Sequence, residues 1–116
     1  MAVVVESNIV LVKSTPQVIF EASGGQLPGF FSGSLDLTQL PDVDDEVNIK
    51  LEIKYSSGGT YREHHIPSNG KQADKAVEFT PLEKTYGYKL TAELVAASPS
   101  ASATLEFLML RSDAPT

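Results

Sequence analysis

The sequence predicts an all-β fold, an antiparallel β-sandwich or jelly roll of about eight short strands. Three observations carry this prediction: apolar and polar residues alternate, prolines fall between the apolar runs, and no long window has helical periodicity. Proline has no amide hydrogen to give to a strand ladder, so it belongs at strand ends and turns. With 116 residues the chain forms one domain, predicted over residues 1–111, with a flexible tail at 112–116.

The clearest strand is DEVNIKLEIKY at residues 45–55, where every second residue is apolar. Side chains alternate across a strand, so this one has a core face and a wet face. Residues 86–96 alternate in the same way. In the run 103–111, Leu108 and Leu110 make the second face apolar too, so we expect this strand to be covered on both sides. Other strands are predicted over 3–12, 17–22 and 30–38, and around Val77 and Phe79.

Turn signals predict two hairpins. A Gly-Gly pair joins residues 45–57 to 60–66, and it suits a type I′ turn, in which both central residues need positive φ. The segment SPSA joins residues 86–97 to 102–111. The second strand of the first hairpin has polar residues on both faces, which is typical of a protected edge strand.

Charge pairing predicts the register of the first hairpin. The type I′ turn places Lys54 opposite Glu63, and Glu52 opposite His65, so opposite charges face each other. A register slipped by two residues would set Glu52 against Glu63. Because like charges directly opposite are destabilising, we expect that second register to be disfavoured.

The only two histidines, His64 and His65, are neighbours in the same strand. They point to opposite faces, so they cannot both bind one metal ion unless the strand bulges. His64 and Arg62 fall on the face of the core residues, which indicates either an edge strand or a ligand or partner surface. Tyr61, Arg62 and His64 are therefore candidate partner-binding residues.

The glycine-rich segment GGQLPGFFSGS covers residues 24–34. It lacks the spacing of a phosphate-binding loop, and no helix follows it. Phe30 and Phe31 point opposite ways in an extended chain, so one of them is expected at the surface. An exposed phenylalanine in such a loop is a candidate partner contact.

The segment PDVDDE at residues 41–46 concentrates acidic side chains. Calcium prefers several hard oxygen ligands on a flexible loop, so Asp42, Asp44 and Asp45 are candidate metal ligands. The central glycine and distal glutamate of an EF-hand are missing. An acidic turn before a strand is the alternative interpretation.

Composition and motifs exclude several functions. The absence of cysteine excludes disulfides, a thiol nucleophile and cysteine-ligated metals. A net charge of −6 with scattered basic residues disfavours nucleic acid and anionic membranes as partners. No nucleophile motif such as G-x-S-x-G is present, so we predict no catalytic residue, no cofactor and no enzymatic activity. The opening MAVVVESNIVLVKS lacks a basic n-region and is short, so we expect no signal peptide, no membrane span and synthesis in the cytoplasm.

The run DEVNIKLEIKYSSGGTYREHHI, followed by FTPLEKTYGYKLTAELV and a closing SATLEFLML, resembles small all-β virion proteins of tailed viruses, of the accessory, capsid-decoration or short-fibre type. The shared features are a charged alternating strand, a glycine-rich hairpin, a tyrosine pair opening the next long strand and an apolar last strand. The resemblance covers roughly residues 42–110. It implies a structural role, in a domain that trimerises or docks on a shell, and it carries over no functional residue because there is no fixed motif.

We therefore expect a non-enzymatic structural or interaction protein, a virion accessory or decoration component that acts through protein–protein contacts. It would work as a homo-oligomer, with a trimer favoured, or on a larger assembly such as a capsid. The expected surfaces are the 24–34 loop and the 59–66 edge strand. The alternatives are a carbohydrate- or ligand-binding module with calcium at the acidic loop, and an enzyme with a carboxylate or histidine site near His64.

Overall fold

The computed structural model describes residues 2–23, 30–56, 58–64, 69–79, 86–95 and 102–112. At some of these positions, Phe30, Phe31 and His64 among them, it describes the backbone alone. The described strands are β1 (Ala2–Val12), β2 (Gln17–Ser23), β3 (Phe30–Asp36), β4 (Glu46–Lys54), β5 (Arg62–His64), β6 (Asn69–Lys71), β7 (Ala76–Phe79), β8 (Gly87–Val95) and β9 (Ser102–Ser112). A 3-10 turn at Gln72–Asp74 links β6 to β7.

The strands form two antiparallel sheets. Sheet A has the order β1-β9-β3-β7, and sheet B has the order β2-β8-β4-β5, with β6 also paired to β4. Because β8 occupies one side of β4 along its whole length, β5 and β6 both pair with the other side of β4 and together occupy one edge position of sheet B. Counted in this way the described residues form eight strands, and they have the order of a jelly roll. The predicted all-β sandwich is confirmed.

The core lies between the sheets and consists of every second residue of the strands. Leu11, Leu35 and Leu105 enter it from sheet A, and Val47, Leu90 and Leu94 enter it from sheet B. Tyr88 is also fully buried, and its ring meets the ring of Phe20 edge-on at 5.9 Å between centroids. Burying one such leucine is worth about 1.5–3 kcal/mol, so the alternation in the sequence is what holds the sheets together.

The predicted hairpin between residues 86–97 and 102–111 is wrong. β8 pairs with β2 and β4 in sheet B, whereas β9 pairs with β1 and β3 in sheet A. Both strands still bury an apolar face in the same core, but they do so from opposite sides of the sandwich. A turn signal brings two strand ends near each other and does not decide whether the strands share a sheet.

The predicted register of the β4–β5 hairpin is also wrong. The structure pairs Glu52 with Glu63 and Ile53 with Arg62, which is the register slipped by two residues. The turn closes with the Gly59 amide donating to the Ser56 carbonyl at 3.1 Å. A slip of two leaves each side chain on its predicted face, since the side-chain period is two. The predicted position of this strand at a sheet edge is confirmed, because β5 ends sheet B.

Charges on the other side of β4 explain why this register is tolerated. Glu52 lies opposite Lys89 of β8, and its carboxylate is 3.9 Å from the ammonium groups of both Lys89 and Lys50. Two neighbouring cations offset the repulsion from Glu63. The predicted register rested on charges in β5 alone and left out β8, which flanks β4 on its other side.

Candidate functional site

The outer face of sheet A contains an open groove of about 570 Å³. Pairing brings Glu6 of β1 and Ser34 of β3 to either side of Leu108 on β9, and it places Asn8 opposite Glu106. The groove is lined by these residues together with Asp36. Leu108 is 36% exposed, so an apolar side chain lies on the floor of a polar groove.

The outer face of sheet A is acidic, and the side chains described on its strands include no basic residue. Its carboxylates are Glu6, Asp36, Glu78 and Glu106. The one basic residue in the four strands is Arg111, whose side chain lies outside the described residues. An uninterrupted field of one sign attracts an oppositely charged surface.

Sheet B is balanced in charge and therefore unlike sheet A. Its strands hold the basic residues Lys50, Lys54, Arg62, Lys71 and Lys89, and the acidic residues Glu21, Glu46, Glu52, Glu63 and Glu93. Cations and anions are interspersed, so the face of sheet B has little net field. Among the described strands, the excess of negative charge therefore lies on sheet A.

The carboxylate of Asp36 is held in place where β3 ends. Its Oδ1 accepts hydrogen bonds from the backbone amide of Thr38 at 2.8 Å and from the Thr38 hydroxyl at 2.7 Å. These bonds orient the side chain, and the exposed oxygens continue to carry its charge into the groove. Asp36 is therefore a fixed anionic group on an otherwise open face.

One edge of sheet A is β7, and the other is β1, an edge strand of 11 residues. At its end the side-chain amide of Gln17 takes the place of a neighbouring strand: Nε2 donates to the Val10 carbonyl at 2.9 Å, and Oε1 accepts from the Val12 amide at 2.6 Å. Val10 and Val12 are 52% and 45% exposed. The rest of the edge, before Val10, has no such side-chain cover among the described residues.

Tyr61, a predicted partner-binding residue, packs on the surface of sheet B. The ammonium groups of Lys54 and Lys89 lie 4.9 and 4.4 Å from its ring centroid. The ring also fills the space beside Gly87, where an added Cβ would come within 2.9 Å of the Tyr61 hydroxyl oxygen. These contacts fasten the β4–β5 hairpin to β8, with cation–π contacts adding to the packing.

The other residues predicted to bind partners lie in two strands, β5 of sheet B and β3 of sheet A. Arg62 is exposed on β5 at the edge of sheet B. His64 is at the end of the same strand, and its side chain lies outside the described residues. Phe30 and Phe31 begin β3 in sheet A, paired with Ser112 and Arg111, and the described part of them is the backbone. The backbone therefore places Tyr61, Arg62 and His64 at the edge of sheet B and Phe30 and Phe31 in sheet A, and their role in partner binding stays a prediction.

The acidic segment before β4 is a hydrogen-bonded turn. Asp42 accepts from the Asp44 amide at 2.9 Å, and Asp45 accepts from the Asp42 amide at 3.1 Å. Asp45 is 1% exposed, so its carboxylate is a structural part of the turn. Within the described ranges no group of three or more acidic or histidine side chains is arranged to hold a metal ion. Calcium binding here stays a prediction.

Sequence reasoning missed Glu6, Asp36 and Glu106. Each stands alone in its own strand, and the chain separates them by tens of residues. The available signal was the near-absence of basic residues from four of the predicted strands. The shortage of basic residues indicates an acidic surface only once the strand order is known, because that order places the four strands in one sheet.

Neither a protein-family model, a curated protein nor a solved structure matches this chain. In the part of the chain that the structure describes, no helix has the length and apolar character needed to cross a bilayer.

Proposed function

We propose that this protein is a non-enzymatic structural or interaction protein that docks on another protein through the outer face of sheet A. The fuller form of the proposal is a virion accessory or decoration component that works as a homo-oligomer or on a larger assembly such as a capsid. Its docking partner presents a basic surface. Glu106 and Leu108 are the central contacts on this chain.

The observation that carries the proposal is the single-sign charge of this face. Three carboxylates, Glu6, Asp36 and Glu106, line the groove around an exposed leucine, and the side chains described on sheet A include no cation to neutralise them. An apolar centre with a charged rim is the usual anatomy of a protein-docking surface. Complementary charge adds to the rate of encounter and to the choice of partner more than to affinity.

The jelly-roll strand order is compatible with the virion proposal. Viral capsid proteins are among the proteins that use this architecture, and so are lectins and cupins. Fold alone does not define function, so this support is an analogy. The charge on sheet A is what selects a protein partner from among these classes.

Affinity capture with paired variants tests the docking proposal. Immobilised wild-type protein and the Glu106→Lys variant are exposed to lysate of the cells that make the protein and to particles purified from them. The matched control is Glu93→Lys, which makes the same charge change on the outer face of sheet B. We expect a protein that the wild type and Glu93→Lys both retain and that Glu106→Lys loses, with retention falling as salt rises.

Two results would overturn the docking proposal. In the first, Glu106→Lys and Glu93→Lys retain the same proteins as the wild type, so the face of sheet A is not used. In the second, the retained partner is acidic and its retention is insensitive to salt. Circular dichroism of each variant establishes beforehand that the β-sheet content is unchanged.

A carbohydrate- or ligand-binding module is the second candidate, and one observation favours it. Tyr55, just after β4, is 64% exposed and offers an aromatic surface on which a sugar ring could stack. A glycan array with wild type and Tyr55→Ala, run with and without calcium, tests this function. Binding that Tyr55→Ala abolishes would move this candidate to first place, and calcium-dependent melting would assign a role to the acidic turn.

A further inference from the structure

We propose that β1 pairs edge to edge with β1 of a second copy of this chain, in antiparallel orientation, and so joins two copies of sheet A into one eight-stranded sheet. The inference rests on the proposed function, because it supplies the surface for its self-association. It predicts a two-fold dimer, where the sequence alone favoured a trimer.

The four edges of the sandwich differ in how well they resist pairing. β7 has four residues, β2 follows Pro16 and contains a bulge between Val18 and Phe20, and the opposite edge of sheet B consists of β5 and β6, which have three residues each. Short and bulged edges are the usual protections against strand addition. β1 is 11 residues long and contains neither proline nor lysine. It has one bulge, between Val3 and Val5, and from Val5 to Val12 its ladder with β9 is regular. That regular run is the longest unprotected stretch among the described edges.

The backbone groups available for pairing follow from the ladder between β1 and β9. In an antiparallel strand, alternate residues direct both their amide and carbonyl groups to the same side. Gln17 bonds to Val10 and Val12 on the free side, so in the regular run from Val5 to Val12 the even-numbered residues direct their polar groups outward. Gln17 occupies the edge at Val10 and Val12. Glu6 and Asn8 are both exposed, and no hydrogen bond from the described part of the chain covers the free edge at them.

These open groups select one register. In this register Glu6 of each copy pairs with Asn8 of the other, about a two-fold axis at Ser7. The free amides and carbonyls of both residues then form hydrogen bonds at two places in the dimer. The register also places each carboxylate beside an asparagine amide, a favourable cross-strand pair. A register centred on Glu6 would oppose two carboxylates. A register centred on Asn8 would compete with Gln17 for the Val10 carbonyl.

Charge also decides between edge pairing and stacking of faces. Stacking sheet A of one copy on sheet A of another would bring together two surfaces whose described side chains include carboxylates and no cation. Edge pairing keeps the two acidic faces side by side and directed to solvent. The two-fold axis limits the assembly to a dimer, since each β1 edge is fully paired with the β1 edge of the other copy.

Sedimentation velocity over a wide concentration range, with a charge-exchange cycle, tests the pairing. Asn8→Asp sets a second carboxylate opposite Glu6 at two places in the dimer, and we expect its dimer dissociation constant to rise by about tenfold. Adding Glu6→Lys to Asn8→Asp restores opposite charges, and we expect association to return to at least the wild-type level. Thr104→Asp is the matched control, because it adds the same charge to the same face on the internal strand β9; we expect little change.

Amide hydrogen exchange provides a second readout. The amides of Glu6 and Asn8 should exchange more slowly as the protein concentration rises, whereas those of Ser7 and Ile9, bonded to β9, should be protected at every concentration. A wild type that stays monomeric at the highest concentration would overturn the inference. A dimer that Asn8→Asp leaves unchanged, or that the double variant fails to restore, would overturn it as well.

The two proposals fail separately. A monomer whose basic partner depends on Glu106 would leave the docking function standing without strand pairing. A dimer that follows the charge-exchange cycle, with captured proteins indifferent to Glu106→Lys, would leave the pairing standing without the docking function.

Discussion

Gly33 shows how close β3 and β9 approach each other. A Cβ at this position would overlap the carbonyl oxygen of Leu108 and lie 2.8 Å from the sulfur of Met109. The overlap with Leu108 is with backbone, which cannot move away without shifting the ladder. Glycine in a strand interior commonly marks such an approach, so its small size here is a structural requirement.

We expect Gly33→Ala to lower the free energy of unfolding by about 1–3 kcal/mol, because the added methyl group overpacks the contact between the strands. Gly58→Ala is the matched control, since a Cβ there would meet nothing within 4 Å. Its effect should stay within about 0.5 kcal/mol. Urea unfolding of both variants measures the difference, and equal effects would contradict the close approach.

Tyr88 makes the stability of the fold sensitive to alkaline pH. Burial raises the pKa of its hydroxyl far above the ordinary value of about 10. Near pH 10 the unfolded chain releases this proton while the folded chain retains it. The free energy of unfolding therefore falls as the pH rises above about 10, and below that pH the group contributes no pH dependence.

We expect Tyr88→Phe to remove this part of the alkaline loss. Between about pH 8 and pH 11 the wild type should lose about 1 kcal/mol more of its free energy of unfolding than the variant loses. Urea unfolding at the two pH values measures it. An identical loss in both proteins would show that Tyr88 ionises as readily folded as unfolded.

At the scale of elements, the β4–β5 hairpin has a like-charge pair that a single substitution can convert. Glu63→Lys places a cation opposite Glu52, so we expect the free energy of unfolding to rise by about 0.2–1 kcal/mol and the gain to shrink in high salt. In the register favoured by charge, the same lysine would face Lys54 and the protein would lose stability. The sign of the change in urea unfolding thus discriminates the two registers, with Glu78→Lys, which faces Ser34, as the control.

The positions of the strands were predicted more accurately than the pairing between strands. The strand at 45–55 was found at Glu46–Lys54, and the strand at 86–96 at Gly87–Val95, because alternation is a local property of the chain. Which sheet a strand joins depends on residues far apart in the chain. The predicted pairing of β8 with β9 was therefore wrong, and the acidic face of sheet A was not predicted. The role of Tyr61 was missed because it depends on Gly87 and Lys89, which join it through the fold of the sheet.

At the scale of the whole molecule, sheet A is closed by strands from the two ends of the described chain. β9 lies between β1 and β3 and is the only described strand to which β1 pairs along its length. We expect a chain cut after residue 95 to lack a cooperative unfolding transition and the β-sheet circular dichroism of the wild type, because β1 and β3 lose the strand that joins them. A chain cut after residue 112 keeps all nine described strands and should unfold cooperatively. A folded 1–95 fragment would contradict the central position of β9.

The unequal charge of the two sheets has a consequence before any contact is made. Carboxylates gather on one sheet of the described strands and a balanced mixture of charges lies on the other, so the strands contribute an electric dipole across the thickness of the sandwich. If sheet A docks on a basic partner as we propose, the field of that partner should turn the diffusing molecule so that the face of sheet A arrives first. We then expect association to be fast in dilute salt and to slow once the Debye length falls below about 10 Å, even when the final complex is equally tight.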